Sequence, residues 1–178
     1  MAMNEGMRPV SLSPACVRTV FAGRKTQMRI IQQDPMWVSG HLLWVREPWC
    51  TNPPLSPTPP DEAFLPSHEI QILYKADANG SDSSYRGDVP WYPAKTMPRW
   101  ASRLTLRVEG VRMERLQEIS EEDLIREGRM WVDSGLARPG ASERDGFARW
   151  WDSIYSLPQE RWESNPTVWV ISFKPLHI

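Results

Sequence analysis

The sequence predicts an α+β fold: a small curled sheet or barrel of five or six short strands, edged by short helices. Three observations carry this. The elements read strand, helix, several strands, helix, helix, final strand, and the helical segments are too short for a doubly wound sheet. The apolar runs are brief and are bounded by Pro, Gly and Asp, as strands are. A chain of 178 residues, 40% hydrophobic and 24% charged, has ordinary globular composition and length for one domain with its own core. That domain covers 1–178, with 51–67 and 77–90 as loop insertions.

Met1 to Met7 reads as a loose leader and Arg8 to Leu12 as a first strand. Ser13 and Pro14 supply a helix N-cap and first helical residue. Val17, Val20 and Phe21 recur at helical spacing, and Gly23 is a natural stop because it tolerates the left-handed conformation. The helix is therefore Pro14 to Ala22. From Lys25 to Ile31 the pattern fits an extended segment or one broken by a bulge. If extended, Arg24, Thr26, Met28 and Ile30 share one face, and Lys25, Gln27, Arg29 and Ile31 the other.

Asp34-Pro35 marks a loop. Leu42 to Arg46 is a strand, apolar and partly β-branched, stopped by Glu47-Pro48. Thr51 to Ser67 holds six prolines and no apolar period, so it reads as an extended insertion. Ile70 to Tyr74 is a strand. Asp77 to Pro90, rich in Asp, Ser, Gly and Asn, is a surface loop. Trp91 to Arg103 has no period but interleaves Lys95, Arg99 and Arg103 with Trp91, Tyr92 and Trp100. Leu104 to Val108 alternates as a half-buried strand that extends toward Met113.

Ser120 caps a short helix from Glu121 to Glu127, with Asp123 placed to answer the cap and Ile119 and Leu124 placed as a staple across it. Gly128 ends it. A later helix spans Glu143 to Tyr155, with Phe147, Trp150, Trp151 and Ile154 on its apolar side. Thr167 to Phe173 is apolar at nearly every position and reads as a strand buried on both faces.

Charge and composition exclude several classes. The formal net charge of -1 gives no global basic excess, so any nucleic-acid contact must come from a local patch. Cys16 and Cys50 are too few for a disulfide framework, which fits a reducing cytoplasm. No apolar run approaches the roughly 18–20 residues of a membrane span, and no basic segment precedes an apolar core at the N-terminus. His41, His68 and His177 lack metal-ligand spacing, so no metal and no cofactor is expected. Glu121, Glu122 and Asp123 read as the acidic first turn of a helix rather than a metal cluster. No Gly-rich phosphate loop is present. Ten tryptophans are many for this length; most fill a core of short strands, and some are stacking surfaces for bases.

Several blocks together resemble a known family. They are Arg8-Pro9-Val10, Gly23-Arg24-Lys25-Thr26-Gln27, Leu43-Trp44-Val45-Arg46-Glu47 and Met97-Pro98-Arg99-Trp100-Ala101-Ser102-Arg103. They continue through Ile119 to Asp123, Glu127-Gly128, Trp150 to Ile154, Asn165-Pro166 and Val168 to Lys174. In this order they resemble the ASCH family, in its phage and prophage branch, whose fold is similar to the PUA RNA-binding domain: a small β-barrel edged by helices. The resemblance implies a role close to RNA or modified nucleotides. One bacterial subgroup removes the acetyl group from 4-acetylcytidine with a lysine, a threonine three residues later and a glutamate on the short helix. The lysine falls on Lys25 and the glutamate on Glu127. The threonine falls on Met28, where many phage relatives read Lys-Thr-Gln-Thr-Arg.

Amide hydrolysis by such a trio needs a nucleophilic hydroxyl, a base and a group to stabilise the oxyanion. Lys25 and Glu127 can supply the last two. A carboxylate at a helix C-terminus is disfavoured by the dipole, and an ammonium partner offsets that cost. Methionine cannot attack a carbonyl, so Thr26 or a water must. The catalytic candidates are therefore Lys25, Thr26 and Glu127. The leading expectation is binding of RNA or a modified nucleoside by this Lys/Glu pocket and a basic-aromatic mouth of Arg24, Arg29, Arg46, Arg99, Trp100 and Arg103, against the blander reading of solvated cations and core tryptophans. Amide hydrolysis of acetylated cytidine is the second reading. A phage protein that binds a host protein is the third.

Overall fold

The computed structural model describes residues 7–31, 37–52, 71–78 and 91–176. Among these, seven strands in two sheets and four α-helices form the α+β fold that the sequence predicts. In chain order they are β1 (Arg8–Ser11), α1 (Pro14–Phe21), β2 (Gln27–Ile30), β3 (Leu42–Arg46), β4 (Trp49–Asn52), β5 (Gln71–Tyr74), β6 (Thr105–Arg115), α2 (Glu121–Arg126), α3 (Met130–Asp133), α4 (Glu143–Ile154) and β7 (Thr167–Leu176). The larger sheet pairs in the order β1-β3-β6-β7-β2, and the smaller is β4-β5. No pairing among the described residues closes either sheet into a ring.

The chain divides into two compact units, each assembled from separated segments. The first comprises Met1–Arg18, Leu42–Leu106 and Leu176–Ile178. Here β1 runs parallel to β3, from Arg8 opposite Leu43 to Ser11 opposite Arg46. Strand alternation buries Leu43 and Val45 and leaves Leu42, Trp44 and Arg46 half-exposed on the other face. The antiparallel β4-β5 pair carries a small core of Trp49, Cys50, Leu73, Tyr92, Met97 and Ala101. The Trp49 ring meets Tyr92 and Trp100 edge-on, with centroids 5.2 and 5.6 Å apart. Strand β4 takes Thr51 and Asn52 from the stretch read as an insertion. The ladder to β5 fixes them, and nothing local in the sequence signals it. The rest of that insertion, 53–67, lies outside the described residues, as do 79–90, Asp34-Pro35, His68 and His177.

The second unit comprises Thr19–His41 and Arg107–Pro175. β2 pairs antiparallel with β7, Gln27 opposite Ser172 through Ile30 opposite Trp169. This settles the ambiguity after Lys25: the chain is extended from Gln27 onward. Ser120 caps α2 as expected, its Oγ accepting from the Asp123 backbone N–H at 3.1 Å. The staple residues Ile119 and Leu124 are buried. On α4 the cap is reciprocal, between Ser142 and Asp145. Phe147, Trp150 and Trp151 enter the core, while Ile154, expected beside them, is exposed on the last turn. Phe147 packs against Trp131 and Trp151, with centroids 5.8 and 6.1 Å away. Burying Trp151 leaves no orphan donor, because its Nε1–H reaches the Glu160 carbonyl at 2.8 Å. β7 buries Val168, Val170, Ile171 and Phe173 but exposes Thr167 and Lys174, so it is less covered than its apolar sequence suggests.

Candidate functional site

The end of α1 places Lys25. Gly23 takes φ 68°, and the Gly23, Arg24 and Lys25 N–H groups close onto the Val20 and Thr19 carbonyls. The Lys25 ammonium then donates to Glu127 Oε2 at 2.7 Å and to the Glu127 carbonyl at 3.1 Å. Glu127 is the C-cap of α2, so the cation meets both the carboxylate and the negative end of the helix. The Lys25 ammonium also lies 5.9 Å from the Trp150 ring centroid. The two side chains are 1% and 0% exposed. This close approach depends on Gly128. It holds φ 86°, and a Cβ there would lie 2.7 Å from Lys25 Cβ and 3.1 Å from Lys25 Cα.

Glu127 has a second cation. Arg29 Nη1 donates to Glu127 Oε1 at 2.9 Å, Nη2 to Asp123 Oδ2 at 2.7 Å, and Nε to Glu114 Oε1 at 3.1 Å. Arg112 reaches Asp123 Oδ2 at 2.6 Å and Glu114 Oε2 at 3.1 Å. Three cations (Lys25, Arg29, Arg112) thus meet three carboxylates (Glu114, Asp123, Glu127). Burial alone would lower the Arg29 pKa, but the Glu127 charge and the bonds to Glu114 and Asp123 outweigh it and raise the pKa. Burial likewise pushes the Asp123 carboxyl up, yet the hydrogen bond and charge of Arg29, with Gln27 and Arg112, hold it below its ordinary value.

The hydroxyl that the sequence offers, Thr26, makes no described hydrogen bond to this cluster. Met28 is buried, and strand alternation turns it to the face opposite Gln27 and Arg29. Thr26 is exposed, while Lys25 and Glu127 are enclosed; its backbone is pinned on both sides, the N–H donating to the Arg126 carbonyl and the C=O accepting from the Phe173 N–H, each at 2.9 Å. Gln27 is different. It is 0% exposed, and although it sits near enough to Asp123 to stabilise that carboxylate, neither amide atom makes a well-formed hydrogen bond.

The remaining predicted contact residues fall elsewhere or are committed. Arg29, expected at a surface, is enclosed by carboxylates. Arg24, also in the second unit, pairs with Asp133 at 2.7 Å and is exposed. The other four belong to the first unit. Arg103 grips Glu47 through Nε and Nη2 at 2.9 and 3.1 Å, reaches Asp77 at 2.6 Å, and lies 3.8 Å over the Tyr74 ring, so its donors face protein carboxylates. Trp100 is half-buried against Trp49. Arg46 and Arg99 both lie over Trp44, at 5.8 and 5.9 Å from its centroid. Arg46 donates to the Lys95 carbonyl at 3.2 Å, while its Nε is buried without a hydrogen bond.

Sequence reasoning missed Gln27, Glu114 and Arg112 and gave Asp123 only a capping role. A signal existed for two of them: Arg112 and Glu114 stand two apart on β6, hence on one face with opposite charges.

No protein-family model matches the chain, and no curated protein matches its sequence. Two solved structures are similar across 96% of it. A protein of Enterococcus faecalis V583, from the family DUF984, is 11% identical with a TM-score of 0.46, and 80% of its chain is covered. An ASCH domain from Lactobacillus crispatus JV V101 is 11% identical with a TM-score of 0.43, and 79% of its chain is covered.

Proposed function

We propose that this chain is an ASCH-type protein that binds single-stranded RNA or a modified nucleoside on the Trp44 surface of its first unit. One observation carries the reading: Trp44 stands on the half-exposed face of β3 with the guanidinium groups of Arg46 and Arg99 over its ring. An aromatic ring beside guanidinium planes offers stacking to a base and charge to the adjoining phosphate. Lys95, exposed beside the Arg46 contact, adds a further cation. In this reading the Lys25–Glu127 pair organises the second unit and is not the contact surface, because both side chains are enclosed and the ammonium is turned onto Glu127. Cys16 and Cys50 are buried and form no disulfide, which suits a reducing compartment such as the cytoplasm.

The test is fluorescence anisotropy with a labelled single-stranded RNA oligomer and the full chain. Binding is expected to weaken steeply between about 50 and 200 mM salt. Trp44→Ala is expected to reduce affinity about 10- to 100-fold, the value of one stacked base. Binding that ignores both salt and Trp44 overturns the proposal. So does hydrolysis of 4-acetylcytidine that disappears in Lys25→Met, which would move the function to the buried pair.

A further inference from the structure

A second place in the molecule gathers cations without enough carboxylates to answer them. In the second unit a cavity of about 150 Å³ is lined by Arg129, Arg138, Arg149, Glu143, Trp131 and Ser142, among others. A cavity of this volume suits a small ion or a small molecule rather than a peptide. Three arginines line it against one glutamate.

The three arginines differ in how far they are committed. Arg129 is bound through Nε and Nη2 to Glu143, and Trp131 Nε1–H donates to the same carboxylate at 3.1 Å. The charge of Glu143 is therefore already answered by Arg129. Arg149 spends its Nε on the Leu136 carbonyl at 3.0 Å, makes no ion pair among the described residues, and has a buried Nη2 without a hydrogen bond. Arg138 is exposed and has no side-chain partner among the described residues. Asp145, on the same helix as Arg149, is engaged by Ser142 through the α4 cap and feels the Arg149 charge only secondarily. Counting it, three cations still face two carboxylates.

The backbone here is also shaped at a cost. Arg129 holds φ 53°, one of two non-glycine residues at positive φ among those described. That conformation is unfavourable for a residue with a Cβ and persists where surroundings impose it. Here it delivers the guanidinium onto Glu143 at the cavity wall. On another side Gly146 lies so close to Trp131 that an added Cβ would sit 2.4 Å from the ring, so the indole backs directly onto α4 and leaves no slack in the wall.

We propose that this cavity is a binding site for a phosphate-class oxyanion, held by Arg138 and Arg149 with Arg129 fixed beside them by Glu143. Guanidinium donors match the oxygens of a phosphate in pairs, and an anion supplies the negative charge that the cluster lacks. The site goes beyond the Trp44 surface and does not depend on it; a phosphate ester or inorganic phosphate presents the same chemistry.

Isothermal titration calorimetry of the full chain with inorganic phosphate, in low-chloride buffer, tests it. Saturable binding is expected at concentrations up to about 10 mM. Arg138→Gln, which removes no hydrogen bond or ion pair among the described residues, is expected to weaken it about five- to tenfold, and Arg149→Gln more than tenfold. Arg107→Gln, exposed on β6, serves as the control and leaves binding unchanged. Cytidine monophosphate binding in wild type that falls with Arg138→Gln but not with Trp44→Ala also supports the site and identifies a phosphate ester as its guest. Absence of phosphate binding, or equal loss in the Arg107 and Arg138 variants, overturns the proposal. Phosphate binding without any RNA binding supports this site and sinks only the Trp44 reading.

Discussion

The Arg103 cluster of the first unit and the Lys25–Arg29 cluster of the second use the same ingredients in different proportion. Around Arg103 one guanidinium meets two carboxylates, Glu47 and Asp77. In the second unit three cations meet three carboxylates. The consequence appears in the carboxyl groups. Burial pushes Glu47 above its ordinary value, and the bonds and charge of Arg103 do not recover it. Asp123 feels burial too, but Arg29, Gln27 and Arg112 bring it below its ordinary value. The two carboxyls differ both in burial, Glu47 being the more enclosed, and in the donors that answer them; desolvation opposes charge in both places. The ring beneath Arg103 shows the same competition: burial raises Tyr74 to about 12 although the guanidinium beside it pulls the other way.

The largest expected effect contrasts the two central glutamates. Glu127→Ala strips a partner from Lys25 and from Arg29 at once and leaves a buried ammonium without its carboxylate, so the loss is about 3–5 kcal/mol in urea unfolding. Glu47→Gln keeps Arg103 on Asp77 and removes a charge that the site holds poorly; its loss is about 1–2 kcal/mol. Equal losses would break the distinction between the two clusters.

Titration sharpens it further. In carboxyl-resolved NMR, Glu47 is expected to titrate above 4.5 and Asp123 below 3.8, their ordinary values. The signs for stability are opposite. Asp123 is depressed in the folded state, so its contribution is present above its unfolded pKa and is lost as pH falls through the folded one. Glu47 is raised, so its contribution is present below its unfolded pKa and is lost as pH rises through the folded one. A Glu47 that titrates below Asp123 would reverse the argument. The smallest effect belongs outside both clusters: Arg126 and Glu122 pair at successive turns of α2 in full view of solvent, and Arg126→Ala should cost only about 0.3–0.5 kcal/mol in the same unfolding measurement.

Much of the fold was legible because its signals are local. The Ser13-Pro14 start, the Gly23 stop, the alternation of Leu42 to Arg46 and the Ser120 cap are set by neighbours a few residues apart, and those elements lie where the sequence puts them. Strand β4 was not legible, since Thr51 and Asn52 become strand only through β5. The site divides the same way. Lys25 and Glu127 were singled out by resemblance and by the demand of a helix C-terminus for a cation. Arg29 looked like a surface cation because its partners are remote: Glu114 is 85 residues away, Asp123 94 and Glu127 98.

By itself the sequence determined the α+β class, the helix ends and the pairing preference of a lysine for a helix-terminal glutamate, because propensity, capping and the helix dipole act over one or two turns. Only the tertiary structure decided that Lys25 is enclosed, that Met28 turns into the core, that Arg29 is held by carboxylates and that Trp44 keeps its ring at the surface. Those outcomes depend on which strands pair and how much water remains around each charge, and desolvation is a property of the packed chain.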